Sequence, residues 1–404
     1  MSQFDVVVWG ATGFTGQLVV EYLLKAYPED SLRWAIAGRN KSKLDALNKR
    51  LDAQIPVLIA DSGDEASLAE LVATTAVVLT TVGPYARYGS ELVAACTASG
   101  THYCDLTGEV QWMRKMIDEH QEAAVASGAR IVHTCGFDSL PSDLGTLFVH
   151  NAMREQSNDT CGVVKYRAAA FKGGFSGGTV ASMMYMMEQA ETDSSIKPLL
   201  EDPYALNPHG VRRGLDGPDA FAPQWDADFD SYVGPFVMAG INTRVVRRSN
   251  ALMDHRYGHE LRYDEGTLMG EGVLGFAKGL AMSLSTVAMA GASSVSGLRK
   301  LMNRFVPQPG EGPDKELRES GFFEIKFFAQ GFADKSNVVR ATVKGDKDPG
   351  YGSTAKMIAE SAVCLALDPV SVGGGIWTPA SAMGELLITR LHERAGVTFE
   401  LEVV

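Results

Sequence analysis

Residues 4–16 read FDVVVWGATGFTG, and this stretch decides the fold of the amino-terminal part of the chain. An apolar run typical of a buried strand leads into glycines spaced GxxGxxG, and an apolar helical stretch follows. Gly10 permits a tight turn, Gly13 leaves room for a pyrophosphate, and Gly16 permits close packing of helix on strand. The N–H groups at a helix start also attract phosphate. The stretch therefore predicts a dinucleotide-binding Rossmann unit rather than a purely structural turn. We expect the cofactor to contact Gly10, Thr12, Gly13, Phe14, Thr15 and Gly16.

The second predicted strand, residues 33–37, ends beside Arg39, where NAD-binding units carry an acidic residue. A carboxylate would repel a 2′-phosphate, whereas a guanidinium pairs with it through two hydrogen bonds. Arg39 and Lys43 therefore predict NADP(H) as the cofactor. The alternative interpretation is a solvated basic helix start. Asp61 follows the third predicted strand, 55–60, where an adenine or ribose edge commonly lies.

Predicted strands and helices alternate up to residue 133 and give about six strands, a pattern that predicts a doubly wound parallel α/β sheet. The fourth strand, 76–82, is almost wholly apolar and stops at Gly83-Pro84-Tyr85. Ligands of such sheets bind beyond the carboxyl ends of the strands. We therefore expect Gly83 and Pro84 to lie beside the nicotinamide.

Composition limits the classes of function. The 404-residue chain is long enough for two domains, and its net charge of −12 argues against nucleic acid as a partner, because phosphate binding needs a basic surface. Five cysteines without a CxxC pair favour reduced thiols in the cytosol over disulfides or a zinc site. No side-chain cluster has metal-ligand spacing, so no metal is predicted. The amino terminus lacks the pattern of a secretory signal, and we expect a cytoplasmic protein.

The sequence pattern changes at about residue 144. We predict a second α+β domain over residues 144–349, for substrate binding or dimerisation. It is inserted between a cofactor domain of residues 1–143 and a helical return to that domain at about 350–404.

Within these later regions, residues 193–235 are rich in Pro, Gly and Asp and are predicted as long loops. Residues 236–246 are predicted as a strand or a short element. Residues 321–329 and 337–344 alternate like a pair of antiparallel strands. Residues 380–395 are predicted as a helix.

The motifs WGATGFTG, AGRN, TTVGPY, YCDLTGE and CGFDSLPSD follow one another along the first 143 residues. In these motifs the chain resembles the saccharopine dehydrogenase-like oxidoreductases, and in particular their trans-acting enoyl reductase branch, which works beside polyketide synthases that lack an enoyl reductase. The resemblance extends to GGFSGGTVAS, PGEGP, GYGSTAKMIAESAVCLA and GGGIWTPASAMGE. It implies a Rossmann domain, an inserted α+β domain and a C-terminal return to the first domain, but it supplies no catalytic residue.

Hydride transfer often needs a group that supplies a proton. Short-chain dehydrogenases, which also open on GATG, use Tyr-x-x-x-Lys, but none of the twelve tyrosines has a lysine four residues later. The predicted catalytic candidates are Tyr85 on the nicotinamide loop and Asp138 and Ser139 in the turn after the sixth strand, with Asp105 and Glu109 as further options. Structural roles are the alternatives: Asp138 as a helix cap, and Tyr85 as a wall of the cofactor site.

Two stretches bear on the substrate. Residues 182–187, SMMYMM, are dense in methionine, whose pliable side chains suit either an acyl-chain pocket or ordinary core packing. Residues 279–298 carry no charge, but their Gly, Ser and Ala content predicts a buried or interfacial segment rather than a transmembrane helix. Two interpretations of this segment stay open. One is a peripheral contact with lipid, which would make the protein membrane-associated, and the other is the interface of the homodimer that we expect.

Three functional hypotheses follow. The first, which we favour, is an NADP(H)-dependent reductase of an enoyl thioester or related lipidic substrate, either a small molecule or carrier-bound. The second is a saccharopine-type amino-acid dehydrogenase, whose carboxylates would need convergent arginines such as Arg244, Arg247 and Arg248. The third is a non-catalytic NADP(H)-binding redox sensor. The large second domain favours an enzyme, because a sensor needs no enclosed substrate chamber.

Overall fold

The computed structural model describes residues 2–28, 31–173, 177–211, 213–293 and 312–402. Within these residues the chain forms two seven-stranded sheets, and every strand pair of the first sheet is parallel. The strands of the first sheet are β1 (Phe4–Trp9), β2 (Trp34–Gly38), β3 (Val57–Ile59), β4 (Thr75–Thr80), β5 (His102–Cys104), β6 (Arg130–Val132) and β13 (Gly375–Trp377).

The order of these strands is β13-β6-β5-β4-β1-β2-β3. Six of them form the doubly wound arrangement predicted from the sequence, and the seventh extends the sheet at β6. The helices of this part are α1 (Phe14–Ala26), α2 (Lys41–Leu51), α3 (Glu65–Ala73), α4 (Tyr85–Tyr88), α5 (Ser90–Ser99), α6 (Val110–Ser127) and α7 (Leu140–Ser157).

The second sheet is mixed. Its strands are β7 (Cys161–Lys172), β8 (Gln224–Asp226), β9 (Ser231–Gly234), β10 (Arg262–Gly270), β11 (Phe322–Gly331), β12 (Val338–Gly345) and β14 (Val397–Leu401). They lie in the order β14-β12-β11-β7-β10-β9-β8, and only the pair β7 and β10 is parallel. The antiparallel pair predicted at 321–329 and 337–344 is thus confirmed as β11 and β12.

The later helices surround this second sheet and return to the first. They are α8 (Gly177–Thr192), α9 (Ile196–Glu201), α10 (Ala239–Leu252), α11 (Gly272–Ser293), α12 (Lys315–Ser320), α13 (Thr354–Leu367), α14 (Pro379–Ala382) and α15 (Gly384–Arg390), with π-helical turns at Pro349–Ser353 and Leu391–Ala395.

Several later elements differ from the sequence prediction. Residues 236–246, predicted as a strand or short element, belong largely to α10. Ile241 and Val245 are buried one helical turn apart, and the polar and charged residues among and after them, up to Asn250, are buried as well. Residues 193–235, predicted as loops, contain α9, β8 and β9. The helix predicted at 380–395 is divided into α14, α15 and a π-helical turn.

The carboxyl-terminal stretch contributes a strand to each sheet. Ile376 of β13 pairs with Ile131 of β6, whereas Phe399 of β14 pairs with Val343 of β12. Only helices were predicted here, because strands of three and five residues are too short to show a clear period. The predicted division into domains at residues 143 and 350 stays a prediction.

One hydrophobic core connects the two sheets. Val6 and Val77 of the first sheet and Val164 and Phe327 of the second belong to the same cluster of buried side chains. Helix α7 packs against β11 and β12, and α13 packs against β1 and β4. The loops at the carboxyl ends of the first sheet are therefore held against elements of the second part.

Helix α11 carries the described part, residues 279–293, of the uncharged segment predicted at 279–298; residues 294–298 lie outside the described residues. Small residues, Gly275 and Gly279, face the sheet, where α11 packs on β9 and β10. The large side chains point outward, so they are not buried within the chain. These exposed residues are Val273, Leu274, Phe276, Leu280, Leu284 and Val287. None of the described helices is long and apolar enough to cross a bilayer. The lipid contact and the homodimer stay predictions.

Candidate functional site

The loop between β1 and α1 is a tight glycine turn. Gly10 has a φ of +85°, in the left-handed region, and its carbonyl oxygen accepts a hydrogen bond from the N–H of Gly13 at 2.9 Å. A Cβ atom on Gly16 would lie 2.2 Å from the Gly10 oxygen, so a larger residue does not fit there. The turn therefore brings the start of α1 close to the end of β1.

The start of α1 offers the chemistry that a pyrophosphate requires. Its first turn contains no acidic residue, and no side chain caps its N–H groups. Thr12, Phe14 and Thr15 are half-buried around the turn. Uncapped N–H groups and the positive end of the helix dipole favour an anion. These residues fit a dinucleotide cofactor.

Arg39, Lys43 and Asp61 lie beyond the carboxyl ends of β2 and β3. Arg39 is exposed and has no ion-pair partner within the described part of the chain. Lys43 is exposed in the first turn of α2. Asp61 Oδ1 accepts a hydrogen bond from the N–H of Gly63 at 2.9 Å. Two cationic side chains thus lie at the same edge of the sheet as the glycine turn.

A cavity of about 270 Å³ lies beyond the carboxyl ends of β4, β5 and β6. Loops of the first sheet form one wall, and α8, α9 and the start of α10 form the other. The second wall is largely apolar and includes Met186, Leu200, Val237, Met238 and Ile241. Among the described residues that line the cavity, none is Lys, Arg or His. The methionine-rich stretch reaches the cavity through Ser182 and Met186, whereas no described residue of α11 lines it.

Gly83 and Tyr85 line the cavity, and Pro84 between them follows a cis peptide bond. The Tyr85 hydroxyl donates to the carbonyl oxygen of Thr80 at 3.3 Å and accepts from the N–H of Leu106 at 3.2 Å. Burial raises the pKa of this hydroxyl well above its ordinary value. The hydroxyl therefore already has a donor and an acceptor on the backbone.

Glu109 fixes the loop that carries these residues. Its two carboxylate oxygens accept the backbone N–H groups of Tyr85 and Ala86 at 2.8 and 2.9 Å. Oε1 also accepts the hydroxyl of Ser182, on α8, at 2.7 Å. Burial raises the pKa of Glu109. The hydrogen bonds from Ala86, Ser182 and Tyr85 favour the ionised form and partly oppose this rise. Asp105, the other acidic option, is fully buried, pairs with His133 at 2.7 Å and does not line the cavity.

Asp138 lies on the cavity wall just before α7. Within the described residues its carboxylate forms no ion pair, and burial raises its pKa from 3.8 to about 6. The N-cap of α7 is Ser139 and not Asp138, and no side chain caps this helix. Asp138 is therefore available to a ligand in the cavity.

Ser139 also lines the cavity, and its hydroxyl donates to Asn242 Oδ1 of α10 at 2.8 Å. The structure thus brings three predicted catalytic candidates, Tyr85, Asp138 and Ser139, to one cavity, which adjoins the glycine turn through Thr15.

Arg244, Arg247 and Arg248 do not face this cavity. They are buried on helix α10. Arg244 and Arg247 form ion pairs with aspartates, and Arg248 donates to the carbonyl oxygens of Leu206 and Ile376. These guanidinium groups are engaged in holding the fold together.

Comparisons with known proteins also point to a dinucleotide-binding domain at the amino terminus. Residues 6–132 match the family model described as the saccharopine dehydrogenase NADP-binding domain. A trans-acting enoyl reductase of Mycobacterium ulcerans is 36% identical over 97% of this chain and 96% of its own. A trans-acting enoyl reductase of Mycobacterium bovis is 35% identical over 96% of each chain. A Mycobacterium tuberculosis protein, given the same name provisionally, is 41% identical over 98% of this chain and 97% of its own. The chain belongs to the saccharopine dehydrogenase-like family.

Within this family, the structure of apo saccharopine dehydrogenase (L-Glu forming) from Saccharomyces cerevisiae aligns with a TM-score of 0.55 at 14% identity, and the alignment covers 99% of both chains. This likeness shows the shared fold. Because the chain contains this family's NADP-binding domain, its cofactor is NADP(H) and the protein is an oxidoreductase. The resemblance stated from the sequence motifs is confirmed.

Ser182 and Asn242 are site residues whose hydrogen-bonding roles were not predicted from the sequence, although Ser182 opens the methionine-rich stretch 182–187. Each contacts a residue of the first part that is far away along the chain, which no local motif records. A signal for the helix that carries Asn242 was present, since Ile241 and Val245 are spaced by one turn.

Proposed function

We propose that this oxidoreductase reduces the carbon–carbon double bond of an enoyl thioester, held by a small thiol or by a carrier protein, at the expense of NADPH. Relatives that match nearly the whole chain carry the name trans-acting enoyl reductase. The alternative of a saccharopine-type substrate is not favoured, because it would bring several carboxylates into the site.

The character of the cavity wall is the observation that carries the proposal. Met186, Leu200, Met238 and Ile241 offer apolar surface to an acyl chain, and burying each methylene contributes about 0.8 kcal/mol. No cationic side chain is present among the described lining residues. An uncharged acyl chain suits this wall, whereas a polycarboxylate would lack partners.

Asp138 supplies the proton in this proposal. NADPH, when bound, supplies a hydride that forms a C–H bond at one alkene carbon. The π electron pair of the alkene then forms the second C–H bond with the proton of Asp138 at the neighbouring carbon. The products are the saturated thioester, NADP⁺ and an ionised Asp138, which regains its proton from solvent. Because burial raises the pKa of Asp138 to about 6, an appreciable fraction keeps its proton near neutral pH.

The protein's other residues act by positioning. Glu109 holds the loop of Gly83 and Tyr85 in place and anchors α8 through Ser182. This arrangement fixes the apolar wall of Met186 relative to the cofactor loop, and fixed positions of the reacting groups lower the entropic part of a barrier.

The test is consumption of NADPH with a series of enoyl thioesters. Catalytic efficiency should rise from about four to about ten acyl carbons as more methylenes are buried. Ile241→Asn should weaken this rise, whereas the matched control Val287→Asp, on the exposed face of α11, should leave it unchanged. Asp138→Asn should lower kcat by about 100-fold or more. A flat chain-length profile, or faster turnover of saccharopine, would contradict the proposal.

A further inference from the structure

Ser139 occupies the N-cap position of α7 but does not cap the helix. Its hydroxyl makes no hydrogen bond to the N–H groups of α7 and instead donates to Asn242 Oδ1 at 2.8 Å. Ser139 and Asn242 are 1% and 0% exposed. The hydroxyl oxygen of a serine at an N-cap ordinarily accepts a hydrogen bond from a backbone N–H in the first turn of the helix. The contact with α10 is therefore a specific use of this side chain.

The orientation of Asn242 is fixed from its other side. Its Nδ2 atom donates to Glu265 Oε2 at 3.0 Å and to Ser142 Oγ at 3.1 Å. Glu265 Oε1 also accepts the hydroxyl of Tyr263 at 2.7 Å. An ionised carboxylate can only accept hydrogen bonds. When Glu265 is ionised, the amide of Asn242 therefore directs its NH2 group to Glu265, and its oxygen faces Ser139.

This orientation sets the hydrogen-bond polarity of Ser139. A hydroxyl has one hydrogen and two lone pairs. Because the hydrogen points to Asn242, only lone pairs are left for a ligand in the cavity that Ser139 lines. Asp138, beside it on the same wall, is also an acceptor when ionised. This part of the wall is complementary to a ligand that donates.

We propose that Ser139 accepts a hydrogen bond from an amide N–H of the bound ligand, and that Asn242 and Glu265 are positioning residues that fix this polarity. Two ligand groups carry such an N–H: the carboxamide of the nicotinamide, and the amide of the thiol arm that holds an acyl group. The first source follows from NADP(H) binding, whereas the second rests on the proposed function.

The experiment compares ligands that differ only at the N–H group. In the cofactor arm, NADPH is compared with its 3-acetylpyridine analogue, in which a methyl group replaces the NH2. In the substrate arm, an enoyl thioester of N-acetylcysteamine is compared with that of 2-acetoxyethanethiol, in which an ester oxygen replaces the amide N–H. Dissociation constants are measured by calorimetry, with NADP⁺ present in the substrate arm so that no turnover occurs. Burial raises the pKa of Glu265 to about 7, so the measurements are made at about pH 8, where it is largely ionised.

The wild-type protein should bind the N–H ligand about three- to tenfold more tightly in at least one arm, the factor that one neutral hydrogen bond provides. Ser139→Ala should remove the preference. Glu265→Gln should reduce it, because a glutamine can donate to Asn242 and let the asparagine amide turn round. The control Glu271→Gln, exposed just after β10, should keep the preference.

Equal affinities within both ligand pairs, or a preference that survives in Ser139→Ala, would overturn the proposal. A preference in one arm alone supports it and identifies the nicotinamide or the thiol arm as the donor. If Glu265→Gln does not fold, the Ser139→Ala comparison still decides. Binding is measured without turnover, so a failure to reduce enoyl thioesters would count against the proposed function and not against N–H recognition.

Discussion

The hydroxyl of Ser182 donates a 2.7 Å hydrogen bond to Glu109 Oε1 and so ties α8 to the loop that follows β4. The same carboxylate accepts the backbone N–H groups of Tyr85 and Ala86. Three donors converge on one buried acid. The helix that presents Met186 to the cavity is thus tied to the first part of the molecule by Ser182, and also by Gln189, whose Oε1 accepts a hydrogen bond from Gln111 Nε2 at 3.1 Å.

Removing the Ser182 contact should affect substrate binding more than cofactor binding. Ser182→Ala is expected to raise KM for the enoyl thioester by about tenfold, because a hydrogen bond to a charged acceptor is worth about 1.5–3 kcal/mol. The affinity for NADPH, measured by its fluorescence, should stay the same. Ser285→Ala, on the exposed side of α11, is the matched control. An unchanged KM would show that α8 is held by other contacts.

Arg39 should determine the choice between the two nicotinamide cofactors. The wild-type protein should bind NADPH at least about tenfold more tightly than NADH, since one charge-assisted phosphate contact contributes about 1.5–3 kcal/mol. Arg39→Ala should remove most of this difference by weakening NADPH binding alone. Arg33→Ala, which removes an exposed cation at the opposite end of β2, should keep it. Equal titration curves for the two cofactors in the wild type would contradict the assignment.

Asp138 should give both activity and stability a dependence on pH. Its pKa in the folded state, about 6, is above the ordinary value of 3.8, so folding favours the protonated form. The stability gained from that proton is fully present below about pH 4 and is lost as the pH rises through about 6. The melting temperature of Asp138→Asn should therefore rise relative to wild type between about pH 4 and 8.

The activity of the wild type should fall as the pH rises above about 6, because the proton donor is lost. Asp138→Asn should lack this limb of the profile, whereas the exposed variant Asp334→Asn should keep it. Identical pH profiles for wild type and Asp138→Asn would assign the proton to another group.

Arg248 should contribute strongly to the stability of the whole chain. It is buried and donates to the carbonyl oxygens of Leu206 and Ile376, and burial beside Arg114 lowers its pKa to about 9. Arg248→Met removes both donors, and each carbonyl left without a partner costs about 1–3 kcal/mol. Urea unfolding should show this loss, whereas the half-exposed Arg256→Met should change stability by less than about 0.5 kcal/mol. Equal midpoints for the two variants would contradict the prediction.

The sequence predicted the first sheet well because its signals are local. Gly10 and Gly16 are required by a turn of a few residues, and the apolar strands alternate regularly with helices. The position of Asp138 and Ser139 at a strand end followed from the same alternation. Asn242 could not be found in this way, because its contact with Ser139 joins residues 103 positions apart, and Glu265 acts on Ser139 only through Asn242.

The mixed second sheet was harder to predict for a related reason. Its strand order depends on long-range pairing, and β14 has only five residues in which to show a period. The outward-facing side chains of α11 also do not follow from composition. The uncharged segment was predicted to be buried or interfacial, and the structure leaves Leu284 and Val287 exposed within the chain.

The position of β13 and β14 has a consequence for biosynthesis. Because Gly375–Trp377 completes one sheet and Val397–Leu401 completes the other, neither sheet has all its described strands while the ribosome is still translating the middle of the chain. Until then the edge at β6 and the edge at β12 expose unpaired backbone groups, which are ready templates for pairing with other nascent chains. A stalled or prematurely terminated product should therefore need a chaperone more than the finished protein does.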